Sequence, residues 1–365
     1  VRVYYVTSGL QGCYFVRSFL PLTENGWDGD ITTMLLDQQM KTPDNKAYAS
    51  QRADVVVFHR PDDPKKLELA RLLRQQGKKI VFDNDDTYKD DGGFKFNKYL
   101  DKERLEKNLG TINETIDKFI READLVTTST QFLADEYKKL NPNVIVLPNC
   151  VDPFYFDEHK VNQSDDVRFA INGSVGVTSD FEHAYNIINR TYNEPNVHWL
   201  FWSLPINRED KIVHELYYEE YKKLDEMIEG KKITWYPFVN MEIYFDQMNE
   251  MEIDVMVIPR ADNYFNRCKS NLKFLETAMF EIPCIAQGFP DGQSPYQQDP
   301  EDAEYMIIAN SEDEFVDHVK QLSKDRAKIR ELGKKARKYV EEKYSIENNA
   351  HKWVEAYQSL FEKHE

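Results

Sequence analysis

The segment KSNLKFLETAMFEIPCIAQ, Lys269 to Gln287, reads as a helix start, a helix with two stripes and a buried strand. Wound as a helix, Leu272, Leu275, Met279 and Ile282 fall three, four and three residues apart and form one apolar stripe. Lys269, Lys273 and Glu276 share a second face. At about 100° per residue, that polar stripe lies beside the apolar one rather than opposite it. Charged groups at the edge of a core are costly unless something pairs with them. Ser270 or Asn271 suits the N-cap, and a helix N-terminus attracts anions. A phosphate-bearing ligand at this helix start would satisfy all three features, with Glu276 accepting hydrogen bonds from a ribose. An ordinary surface helix with a Lys–Glu pair accounts for the same residues, and both readings stay open on residue chemistry.

The bulk of the chain sets limits. At 365 residues it is too long for one typical core and suits two domains. A hydrophobic content of 41% with 13% aromatics excludes a disordered chain. The net charge of −17, from 47 basic and 64 acidic residues, speaks against a protein that lives on nucleic acid. No run approaches the roughly 18 apolar residues of a transmembrane helix. VRVYYVTSGLQG at the start reads as a strand and turn, not a signal peptide. Cys13, Cys150, Cys268 and Cys284 show neither a CxxC nor a metal spacing. They read as free thiols of a reducing compartment, hence a cytoplasmic protein.

The first half is a succession of strands and helices with polar residues at strand ends. After VRVYYVT, the turn through Gly12 leads into the helix-like CYFVRSFLPL. Gly12 would let a ligand approach the backbone, and Arg17 would reach a cleft; a plain turn and a surface arginine are the alternative. ADVVVFHRP is a buried parallel strand with His59 and Arg60 at its carboxyl end, where open α/β sheets bind ligands. KKIVFDNDDTY places a strand over Ile80–Phe82, running into Asp83, Asp85 and Asp86 around Asn84. Such a cluster can orient or deprotonate an acceptor hydroxyl, hold Mg or Mn, or form a solvated turn; a strand end favours the first two. Lys89–Lys102 reads as a loop able to fold over an acceptor. Phe154–Asp166 is charged and irregular, as an interdomain linker would be.

VRFAINGSVGVTSDFEHAYNII restarts the pattern, and the backbone at Gly173 and Ser174 can approach a phosphate or sugar closely. Leu204–Gly230 is Tyr- and Glu-rich and reads as an inserted helical stretch. The strand Ile253–Ile258 ends at Pro259-Arg260, again facing a cleft. The last residues carry an apolar helical face of Ile346, Ala350, Trp353, Tyr357 and Leu360. The expectation is an α/β chain with two Rossmann-like domains, roughly 1–152 and 165–345, facing a central cleft.

FNRCKSNLKFLETAMFEIPCIAQ resembles the nucleotide-sugar segment of GT-B glycosyltransferases of the family 4 type. ADLVTTSTQFLADEYKKL and NVIVLPNCVD resemble the end of the N-terminal domain in the same enzymes. The resemblance implies a transferase using a UDP- or GDP-sugar on a carbohydrate or other acceptor, with retention and without metal or cofactor. It implies that Glu276 holds the donor ribose. Ser270, Asn271, Lys269 and Lys273 would hold phosphate, with Arg260, Gly173 and Ser174 beside them. It sets Asp85, Asp86 and Asp83 as the catalytic, acceptor-facing group, with Gly12, Arg17, His59 and Arg60 nearby. The final helix, about 346–365, would cross back to the first domain. Asp85 stands where the family's strand usually ends in a His near the acceptor, and two further features depart from the family. Its upstream Glu falls on Cys268, and Thr178, Ser179 and Asp180 stand where many members carry an Arg and a Lys. Positive charge for the diphosphate would then come from Arg260, Arg267, Lys269 and Lys273. The departures motivate a second class, a degenerate sugar-nucleotide binder without turnover. A third is a viral-type transferase acting on modified DNA bases, against which the −17 charge speaks. A two-domain epimerase of similar architecture is a more distant rival.

Overall fold

In the computed structural model, residues 1–7, 12–26, 52–87, 102–173, 178–202, 218–230, 232–237 and 239–362 are described. The Lys89–Lys102 loop and Ser174 therefore fall outside the described residues, apart from Lys102 itself.

Two parallel sheets carry the molecule. The first joins β1 (Val3–Thr7), β2 (Val55–His59), β3 (Lys79–Asn84), β4 (Leu125–Thr128) and β5 (Val144–Val146) in that order. The second has the order β11-β10-β9-β6-β7-β8, built from β6 (Val167–Asn172), β7 (Val197–Trp202), β8 (Ile233–Tyr236), β9 (Val255–Ile258), β10 (Cys284–Gln287) and β11 (Ile307–Ala309). The chain runs outward from β6 to β8, then returns to β9 on the other side of β6. That reversal opens a crevice at the carboxyl ends of β6 and β9, the place where open α/β sheets take ligands.

The apolar runs explain the layers. In β6, Val167, Phe169 and Ile171 enter one core while Ala170 enters the other. A strand covered on both faces needs apolar residues at every step, which is why these strands read as continuous runs. Helices start where the sequence offers a cap: Asp63 accepts from Lys65 N, Thr130 from Leu133 N and Ser311 from Glu314 N. Parallel neighbours require a crossover. The helix Tyr218–Glu229 supplies it between β7 and β8, so this part of the expected insertion is an ordinary element of the fold.

Two crossings join the sheets side by side. Val151 N donates to Tyr344 O at 3.0 Å, and Ile346 N donates to Val151 O at 2.8 Å. Beyond them the helices Ile346–Asn349 and His351–Gln358 lay Ile346, Ala350, Trp353, Ala356 and Tyr357 on the first sheet beside Val3, Tyr5 and Val57. The segment quoted first is shorter as a helix than its periodicity predicts. It is helical over Leu272–Ala278, and Glu281 turns the chain with φ 56° into β10. Gly333, on the helix Arg326–Tyr344, passes against the Glu281 backbone there. Among the described residues no helix is long and apolar enough to cross a membrane.

Candidate active site

The carboxyl edge of the first sheet gathers His59, Arg60, Asp83, Asp85 and Asp86. The register places Thr7, His59, Asp83 and Thr127 level across β1 to β4. β3 runs two residues further than the sequence reading, and this separates the three aspartates. Asp83 is inside the strand and 1% exposed. It receives Arg17 Nη2 at 2.5 Å, Arg17 Nε at 3.2 Å and Thr127 Oγ1 at 2.6 Å. Both expectations for this pair need correction. Arg17 is fully buried, neither lining a cleft nor lying on the surface, and Asp83 is committed to it rather than to an acceptor. Arg17 also donates to Leu147 O and Asn149 Oδ1, and its guanidinium lies 6.0 Å from the Trp353 ring.

Asp85 and Asp86 lie past the strand end. Asp85 Oδ1 faces His59 Nε2 at 3.7 Å and Arg60 Nε at 3.8 Å, ion-pair rather than hydrogen-bond distances. Both Asp85 Oδ1 and His59 Nε2 are buried without a hydrogen-bond partner, while His59 Nδ1 meets Thr7 Oγ1 at 3.3 Å. Burial opposes ionisation of Asp85, but His59 and Arg60 outweigh it and hold the carboxyl well below the usual range. Arg60 itself adopts φ 51°, a left-handed conformation rare for a bulky residue and concentrated at functional sites. Asp86 accepts from Thr87 N at 2.8 Å and from Lys269 Nζ at 3.0 Å, across the cleft. The carboxylates thus turn to different partners, and among the described residues no group of three His, Cys, Asp or Glu side chains is arranged to hold a metal ion.

On the other side of the cleft, four side chains meet at one hydroxyl. Tyr244 OH donates to Glu276 Oε2 at 3.1 Å and accepts from Asn172 Nδ2 and Lys273 Nζ, each at 3.1 Å. Its ring stacks on Trp202, with centroids 4.8 Å apart. Asn172 ends β6, so the cluster sits at the crevice beside β9. Burial raises the proton affinity of Glu276, opposed by Lys273; burial likewise lowers the pKa of Lys273, opposed by Glu276. Neither Tyr244 nor Asn172 carries a sequence signal that would have singled it out.

Several expected phosphate ligands are otherwise engaged. Asn271 gives its amide to Asp302 Oδ2 at 2.5 Å and makes no cap hydrogen bond. Ser270 is the loose cap, taking Leu272 N at 3.4 Å and Asn149 Nδ2 at 2.8 Å. At seven residues, the helix behind it is too short for its N-terminus to carry the anion argument. Arg260 binds Asp180 Oδ2 at 2.7 Å, and Asp180 also receives Ala261 N and Asn266 Nδ2, each at 2.8 Å. Arg267 pairs with Asp262 and Asp291. Each of the four candidate cations therefore has a carboxylate or a phenol for company. Asp180, one of the three residues standing where many enzymes of the resembled type carry an Arg and a Lys, is what engages Arg260. Gly173, Asp180 and Arg260 line a cavity with Asn172, Ile258 and Pro259, at the β6–β9 reversal. Gly12 has room for a methyl group, its nearest neighbour being Met241 Sδ at 3.7 Å, so nothing there requires a glycine for space.

Comparisons with known proteins agree with this fold. Residues 205–355 match the family model described as glycosyl transferase-like. A glycosyltransferase from Rickettsia africae ESF-5 superposes with a TM-score of 0.64 at 12% identity, covering 99% of this chain and 98% of its own. Sucrose-phosphate synthase from Thermosynechococcus elongatus superposes at 0.58 with 15% identity, covering 87% and 76%. An E. coli structure described as trehalose-6-phosphate bound with UDP-2-fluoro glucose also gives 0.58, at 12% identity over 99% and 93%. Comparison with curated proteins finds no match. The fold is GT-B, with two Rossmann-like units, and residues 205–355 are similar to the glycosyl transferase-like family.

Proposed function

We propose that this GT-B chain, glycosyl transferase-like over residues 205–355, moves a sugar from a nucleotide-diphosphate sugar to an acceptor hydroxyl with retention of anomeric configuration. The observation that carries the reading is the Asn172–Tyr244–Lys273–Glu276 cluster at the crevice of the second sheet. A carboxylate fixed by a phenol beside a buried lysine is suited to ribose hydroxyls on one side and phosphate oxygens on the other. UDP-sugar or GDP-sugar is the proposed donor class; a neighbour in fold is bound with UDP-2-fluoro glucose. Residues 1–152 would supply the acceptor side and 165–345 the donor side.

In the reaction the bond from the anomeric carbon to the diphosphate oxygen breaks and its electron pair leaves with the diphosphate. The acceptor oxygen bonds to that carbon and gives up its proton. Asp85, held ionised, accepts the acceptor hydroxyl's hydrogen bond. A carboxylate of such low basicity orients better than it abstracts, so the departing phosphate oxygen is the stronger base. Lys269 and Lys273 would stabilise the leaving charge; a unit charge at about 4 Å with an effective dielectric near 20 contributes about 4 kcal/mol. The thiols Cys13, Cys150, Cys268 and Cys284 are free, which fits the cytoplasm.

One observation favours a second reading, a sugar-nucleotide binder without turnover: Arg260, Arg267 and Lys269 are each already paired with carboxylates. Thermal unfolding with UDP, GDP, ADP, TDP and CMP separates these. Ligand at 100 times its dissociation constant stabilises by about 2.7 kcal/mol. One nucleotide stabilising the wild type but not Glu276→Ala is expected. Donor consumption with that nucleotide's sugars, with and without candidate acceptors, then distinguishes enzyme from binder. Equal stabilisation of wild type and Glu276→Ala would remove Glu276 from the donor site.

A further inference from the structure

The segment 261–271 belongs to the second unit, yet four of its side chains, Tyr264, Cys268, Lys269 and Ser270, are held by the first. Cys268 is fully buried in the core of the first unit, with Leu133 and Tyr137. Tyr264 packs on Phe132 and donates to Glu136 at 3.4 Å. Ser270 is held by Asn149, which also binds Arg17, itself paired to Asp83 near the end of β3. The neighbouring Lys269 is held by Asp86, just past the end of the same strand. Two adjacent residues at the donor crevice are thus tied to one strand end on the acceptor side.

We propose that Asp86 is an internal occupant of the phosphate seat, and that a donor diphosphate takes Lys269 from it, coupling donor binding to the acceptor side. The proposal rests on the donor-site reading above. Lys269 is placed for such an exchange. Its ammonium lies 4.1 Å from the Phe265 ring centroid, a contact that holds the cation near the crevice whichever anion it meets. Its side chain is 22% exposed and that of Asp86 12%, so the pair is shielded but reachable by a ligand. Asp86 has a second cation waiting: Arg60 Nη2 stands 4.0 Å from Oδ2. Release from Lys269 would leave Asp86 with Arg60, beside Asp85, which shares Arg60. The hand-over changes the charge balance at the place where an acceptor hydroxyl would bind, and linkage makes the effect mutual: an acceptor that engages Asp86 must raise donor affinity in the same proportion.

Asp86→Asn is the informative variant, because asparagine keeps the oxygen that accepts from Thr87 N while removing the charge that holds Lys269. Titrations would use UDP, GDP, ADP and TDP with their matched nucleosides, on wild type, Asp86→Asn, Lys269→Met and the double variant. The expected result is a gain of about tenfold in diphosphate affinity for Asp86→Asn, equivalent to about 1.4 kcal/mol, with the nucleoside unchanged. Lys269→Met lowers diphosphate affinity, and the double variant matches Lys269→Met, since the gain acts through the lysine. A diphosphate affinity in Asp86→Asn equal to or below wild type overturns the proposal while leaving the donor site intact. An equal gain for the nucleoside overturns it too, because the effect would not pass through phosphate. Absence of binding of every nucleotide and nucleoside to all four proteins would overturn the donor-site reading and this proposal with it.

Discussion

Lys273 and Glu276 are three residues apart on one helix, and the fold pushes both toward their neutral forms. For Glu276 burial raises the folded pKa above the ordinary carboxylate value of about 4.3. Between those two values the folded state binds more protons than the unfolded one, so this group's contribution to stability is full at lower pH and falls as pH rises through the window. Glu276→Gln should therefore stabilise the ligand-free protein at neutral pH while weakening nucleotide binding; urea unfolding at pH 4 and pH 7 reads the first effect, and a loss of stability at pH 7 would contradict it. Lys273 runs the other way. Burial lowers its pKa, and a bound diphosphate would favour the charged form and raise it. Nucleoside diphosphate binding should take up protons at alkaline pH, measured as a dependence of the calorimetric enthalpy on the buffer's ionisation heat; proton release would sink the assignment of Lys273 to phosphate. Glu276 and Lys273 were legible from their spacing. Tyr244, which joins them, was not, because nothing in MEIYFDQMNE indicates that this tyrosine crosses to a helix 29 residues later.

At the scale of elements, the helix Leu272–Ala278 is seated by the turn at its carboxyl end. Glu281 turns the chain in a left-handed conformation, and a Cβ on Gly333 would overlap Glu281 O. The helix Arg326–Tyr344 can approach the turn only through a glycine. Gly333→Ala should cost at least the 1–3 kcal/mol typical of overpacking, read as a lowered urea midpoint with an unchanged m-value. A variant as stable as wild type would mean that the turn shifts freely. The periodicity of the sequence predicted a longer helix, with Leu272 and Ile282 on the stripe. The turn at Met279–Glu281 ends it sooner, since β10 must start level with β9, where Cys284 pairs with Met256. β3 departs in the opposite sense. Asp83 and Asn84 look like a turn in sequence, yet the strand continues through them because Arg17 and Thr127 satisfy the carboxylate inside the sheet.

For the molecule as a whole, Arg17 ties the parts together: β3 through Asp83, the segment just after β5 through Leu147 and Asn149, and the returning helix through Trp353. Arg17→Met would leave Asp83 charged, buried and short of a cation, a situation that costs about 3–5 kcal/mol. The expected outcome is a lower unfolding midpoint, with Tyr and Trp fluorescence showing the first sheet and its helix His351–Gln358 lost together; a change under about 1 kcal/mol would show that solvent or another cation reaches Asp83. The alternation of apolar strand runs with capped helices was enough to read two parallel α/β units from the chain, because a strand buried on both faces writes its environment locally. The order β11-β10-β9-β6-β7-β8, and with it the crevice, is not written that way, since the strands on either side of the reversal are alike in composition. Motif resemblance located Glu276 and the end of β3, where charge and spacing are local properties. The pairing of those charges (Arg260 with Asp180, Lys269 with Asp86, Arg17 with Asp83) came only with the folded chain, because each ion pair joins residues from 66 to 183 positions apart and a carboxylate's role depends on which cation the fold delivers to it.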